Sequence, residues 1–175
     1  MHIFPDPDEP GLQPFTRAFV RLMFAHGEFE RRVSDLMAVI TRHPNFGEQP
    51  ENRWSARSRP MEMRKLIKAY EAKHIDGLPE RDEIVAYLRK AIAPSDVRNM
   101  LAHGHWWAFD VDARSITVRA TTVRPNEELH MDFTEEEIAR TAGLFEDLEA
   151  ELFKLQRQIE RRSTDDVCAS SERRD

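Results

Sequence analysis

The stretch HWWAFDVDARSITVRATTV, residues 105–123, decides the fold. Ile116, Val118, Ala120 and Thr122 alternate with Thr117, Arg119, Thr121 and Val123, a period of two that fits a half-buried strand. Residues 106–111 are rich in aromatic and apolar types, and Asp112, Ala113 and Arg114 form a plausible turn between the two runs. The reading is a β-hairpin over about 106–124, broken by Pro125 and Asn126. It stands alone, because the rest of the chain has helical spacing.

Downstream, Thr134 precedes Glu135, Glu136 and Glu137, a capping box whose acids suit the positive end of the helix dipole. The helix is expected to run to about Arg161. Ile138, Phe145, Leu148, Leu152, Leu155 and Ile159 make a stripe suited to packing on the first helix, or to a coiled-coil seam. Upstream, apolar residues from Leu12 to Ile40 fall at steps of three and four, and Pro44 ends that helix. Residues 61–74 and 79–92 show two more helical patterns. Pro94 is expected to interrupt the latter, with Ser95 or Asp96 capping a short helix through His103 and Gly104 stopping it. The predicted fold class is mainly α: an antiparallel helical bundle with a β-hairpin inserted before the long C-terminal helix. One domain is drawn over 12–161, after a flexible lead (1–11) and before a disordered tail (162–175). Residues 43–60 form a long connection in which Arg53, Trp54, Arg57 and Arg59 could meet a nucleic acid, although a surface loop pinned by a buried tryptophan fits as well.

The chain has 175 residues, 40% hydrophobic and 33% charged, with a formal net charge of −6. That suits one ordinary domain and excludes collagen-like or wholly disordered classes. One cysteine, Cys168, excludes a disulfide framework. The negative sign argues against coat-type nucleic-acid binding, DNA included. By segment the charge separates. Residues 52–73 hold seven basic side chains against two acidic, and 89–124 hold six against three. Residues 127–151 hold ten acidic against one basic, mostly a solvated helix face. The opening residues lack a basic region and an apolar core, and no run is long and apolar enough to span a bilayer, so a cytoplasmic protein without a membrane association is expected.

No Gly-rich phosphate loop, His-Glu-x-x-His or Gly-x-Ser-x-Gly occurs. His103 and His105 lack a third ligand at suitable spacing, so no metal site and no cofactor are expected. The informative stretch is SDVRNMLAHGHW, residues 95–106. Asn99 and His103, four apart, share a helix face, and Arg98 lies about 140° round from His103 on an ideal helix. An arginine offers a phosphate a permanent charge and a bidentate fork, a histidine moves protons near neutrality, and an amide orients a phosphate or a 2′-hydroxyl. The bland alternative is structural: His103 favourable at a helix C-terminus, Arg98 paired with an acid, Asn99 holding the hairpin backbone.

Arg-x-x-x-x-His with a polar residue directly after the arginine, in a helical chain, resembles the signature of the HEPN superfamily. That resemblance implies a helical bundle and two classes of member: metal-independent endoribonucleases of toxin and antiviral systems, and non-catalytic interaction modules that assist nucleotidyltransferases or serve in sensing. It implies Arg98, Asn99 and His103 as catalytic residues in a composite site between two copies, so a homodimer acting on RNA by attack of a ribose 2′-hydroxyl on the adjacent phosphate. His105, Trp106, Arg114 and Arg119 are the substrate-binding candidates, although Trp106 and Trp107 also fit a core. The same spacing recurs at Arg21 and His26, where a half-buried helix pair is the expectation. The rival reading is a non-catalytic interaction or dimerisation module with a protein partner; a third is a nucleotide sensor at the tryptophans.

Overall fold

The computed structural model describes residues 11–42, 79–110, 112–121 and 128–171. It is mainly helical, with a small antiparallel sheet ahead of the last helix. In chain order come α1 (Gln13–Arg42), α2 (Arg81–Lys90), α3 (Ile92–His103), β1 (His105–Asp110), β2 (Ser115–Thr121), β3 (Glu128–Thr134) and α4 (Glu135–Ser171). The connection from 43, the 61–74 helix, Arg53, Trp54 and the Pro125–Asn126 break lie outside the described residues.

The predicted hairpin has a third strand. The sheet runs in the order β1-β2-β3, every pairing antiparallel. Leu129, Met131 and Phe133 alternate with His130 and Asp132, so the period-two signal was present and was passed over for the helix start behind it. In the turn, the backbone N–H of Ala113 donates to Asp110 Oδ1 at 2.8 Å, and Arg114 takes a positive φ of 47°. The β1–β2 register slips between Trp106 and Ala108, a bulge at Trp107. Ile116, Val118 and Phe133 fill the inner face and are buried.

The capping box forms as expected. Thr134 N donates to Glu137 Oε2 at 2.9 Å, and Glu137 N donates back to Thr134 Oγ1 at 3.2 Å. The first of these bonds, with a second from the Thr134 hydroxyl, holds the Glu137 carboxyl below its ordinary pKa. Beyond Arg161, where the sequence suggested a loose tail, α4 continues to Ser171. The upstream break is also displaced. It falls at Ala91, and Pro94 sits inside the first turn of α3, where a missing N–H costs nothing. Ser95 is therefore a buried helix residue rather than a cap.

The chain divides into two compact units. One comprises Met1–Gly27 and Ala93–Glu146, the other Glu28–Ile92 and Asp147–Asp175. α1 and α4 contribute to both. The first unit buries Phe15, Leu22, Leu101, Ile138 and Phe145 beside the inner face of the sheet. The second buries Phe29, Leu36, Ile84, Leu88, Leu152 and Ile159. There the Arg32 guanidinium lies 4.4 Å over the Phe153 ring and 2.7 Å from Glu149, a half-buried pair between α1 and α4. Glu80, ahead of α2, takes Arg162 of α4 at 2.6 Å.

Candidate functional site

All seven candidate residues fall in the first unit, on α3 and the sheet that follows it. α3 turns Met100 and Leu101 inward, so Asn99 and His103 are exposed on the other side. Arg98 lies between these faces, half-buried. Its Nη1 donates to Asn99 Oδ1 at 2.9 Å. Its Nε is buried and has no hydrogen-bond partner among the described residues. The acid that a purely structural role for Arg98 would call for is not there: among the described residues, its hydrogen-bond partner is an amide.

A histidine does stand near Arg98, from a direction the sequence did not suggest. His26 on α1 is buried, its ring edge-on to Phe145 at 4.9 Å. Burial and then the Arg98 charge push its pKa down to about 4, so it is neutral at physiological pH. Arg21, its partner in the duplicate motif, turns to Glu146 instead, with donor–acceptor distances of 2.8 and 2.6 Å. The pairing of Arg21 with His26 is thus only a spacing. The sequence suggests only a half-buried helix pair with Arg21; no signal in the neighbourhood of His26 shows that α3 brings Arg98 to it.

Gly104 joins α3 to β1 where the backbone runs against β2. A Cβ there would lie 2.4 Å from the Met100 carbonyl oxygen and 2.4 Å from Val118 Cγ1. α3 stops at His103 as expected, and the glycine that follows is also needed for this close approach.

The substrate-binding candidates separate. Trp106 packs inward. Its Nε1 donates to the Leu101 carbonyl at 2.9 Å and its ring meets Phe19 edge-on at 5.3 Å, so it anchors the sheet rather than offering a face to a base. Trp107 is the exposed tryptophan, with the Arg119 guanidinium 5.1 Å over its ring. Arg114 pairs with Glu135 at 2.9 Å in the first turn of α4, which commits it to that acid. His105 sits opposite Arg119, which sits opposite His130, so the solvent face carries a His–Arg–His row with Trp107 beside it. His130 was missed because its strand was missed.

No family model, curated protein or solved structure matches this chain. The site is therefore read from its own chemistry. Among the described residues no group of three or more His, Cys, Asp or Glu could hold a metal ion. No described helix is long and apolar enough to cross a membrane.

Proposed function

We propose that the chain is a metal-independent endoribonuclease of HEPN type, cytoplasmic and of toxin or defence-like role, with its helices arranged as an antiparallel bundle. The observation that carries this reading is the state of Arg98: a guanidinium with no carboxylate partner among the described residues, tied to exposed Asn99, on the helix that ends in exposed His103. A phosphate supplies the anion that such a site lacks. In the reaction, His103 accepts the proton of a ribose 2′-hydroxyl as its oxygen bonds to the adjacent phosphorus. Arg98 balances the extra negative charge, and Asn99 orients the guanidinium. The phosphorus–5′-oxygen bond breaks, and that oxygen leaves with a proton from a second acid, His103 of a second copy in a composite site. The products are a 2′,3′-cyclic phosphate and a 5′-hydroxyl. Arg119, stacked on Trp107, and His105 extend the RNA path over the sheet.

The test is incubation of end-labelled single-stranded RNA with the full chain in EDTA. Cleavage with cyclic-phosphate ends is expected, and a 2′-deoxy substitution at the cut position should abolish it. Intact RNA at high protein, or equal cutting of the deoxy substrate, would refute the reading.

A second reading, a non-catalytic interaction module with a protein partner, is favoured by exposed apolar side chains in the first unit. Phe24 is 73% exposed on α1, one turn from exposed Val20. Intact RNA together with a stable protein complex is the outcome it expects.

A further inference from the structure

The two edges of the sheet differ. β1 is interrupted by its bulge at Trp107, the kind of irregularity that prevents an edge from accepting another strand. β3 has no such interruption. Its seven residues pair with β2 without a slip, from Ser115↔Thr134 to Thr121↔Glu128. It contains no proline and no lysine, and no described strand pairs with its other side. Leu129 and Met131 share the face of Val118, which is fully buried, yet are 44% and 40% exposed. The apolar inner face therefore runs past its cover at the β3 edge.

We propose that β3 is the surface through which two copies of this chain pair, edge to edge about a two-fold axis at Met131, to give one continuous antiparallel sheet. The occupant follows from the strand's own register. In an antiparallel pair, residues directly opposite share a face. An axis at Met131, the midpoint of the strand, sets Met131 against its counterpart, Leu129 against Phe133, Glu128 against Thr134 and His130 against Asp132. Every residue of β3 is used, apolar meets apolar, and a basic side chain meets an acidic one twice. Moving the axis one residue to His130 sets histidine on histidine and Glu128 on Asp132. Moving it to Asp132 sets acid on acid. Like charges directly opposite destabilise a sheet, so the strand selects one register. With the β1 edges bulged, pairing through the sheet closes at two copies instead of growing into a fibre. α3 leads into β1, at the other edge of the sheet, so the contact at β3 is separate from the composite site that the nuclease reading needs, and its test uses no RNA.

The experiment is oxidative cross-linking of the full chain in a Cys168→Ser background. Opposed residues at the axis lie about 4.5–5.5 Å apart between Cα atoms, within the range of a disulfide. Met131→Cys should form a covalent dimer at least about tenfold faster than Leu144→Cys, an exposed control position on α4. Sedimentation of the native chain should show at least a dimer. His130→Asp should halve the native mass, and His130→Asp with Asp132→His should restore it, with far-UV circular dichroism unchanged throughout. A native monomer at about 100 μM would overturn the proposal. So would equal cross-linking at 131 and 144, a native mass unchanged by His130→Asp, or a double variant that stays at half that mass.

Discussion

Gly104 shows how one residue couples the candidate helix to the sheet. A methyl group there meets backbone at Met100 as well as the Val118 side chain, and backbone cannot swing away. Gly104→Ala should lower stability by about 1–3 kcal/mol, read as a reduced urea midpoint with an unchanged slope. His26 makes a pH-dependent contribution of defined sign. Its folded pKa, about 4, lies below the ordinary value of 6.5, so the unfolded chain takes up the proton first. Stability from this residue is complete above about 6.5 and falls as pH drops towards 4, by on the order of 2 kcal/mol. His26→Phe should flatten urea-unfolding stability between pH 6.5 and 4; an unchanged slope would mean another group titrates there. At this scale the sequence was half legible. It offered two Arg-x-x-x-x-His pairs, and their spacing could not distinguish an arginine that ends on a carboxylate, Arg21, from one that ends on an amide, Arg98. That difference is made by side chains remote in sequence.

At the scale of elements, local rules were legible where they are local. Thr134 and Glu137 satisfy each other within four residues, and the box forms as written. Thr134→Ala should cost about 1 kcal/mol, visible as a lower thermal midpoint. Glu137 adds a pH dependence of the usual carboxylate sign, present at neutrality and lost as acid protonates it. The errors came where two rules competed. By sequence Pro94 marks a break, but a proline in a first turn costs no hydrogen bond, so the helix begins three residues earlier and encloses Ser95. β3 lies between a proline and a strong helix start, which mask its period. Missing it cost His130 and the sheet edge together. Trp106 and Trp107 are adjacent in a strand, but only the bulge decides which of them faces the core, and a bulge is not written in composition.

At the scale of the whole molecule, charge carries less than its local placement. The net −6 excludes a basic coat, yet says nothing against one arginine without an acid partner. Part of the acidic stretch is taken up by structure: Glu137 caps α4, Glu135 takes Arg114, Glu146 takes Arg21 and Glu149 takes Arg32. Arg98 has no acid partner among the described residues, and the nuclease reading depends on that. Its direct test uses the duplicate motif as an internal control. Arg98→Ala and Arg21→Ala remove the same side chain from the same spacing. Single-turnover cleavage of labelled RNA in EDTA should fall by about 100-fold or more for Arg98→Ala, the usual cost of losing a group that stabilises transition-state charge. It should stay within about twofold for Arg21→Ala, which breaks an exposed ion pair. Equal rates for the two variants, whether both normal or both lost, would contradict the account.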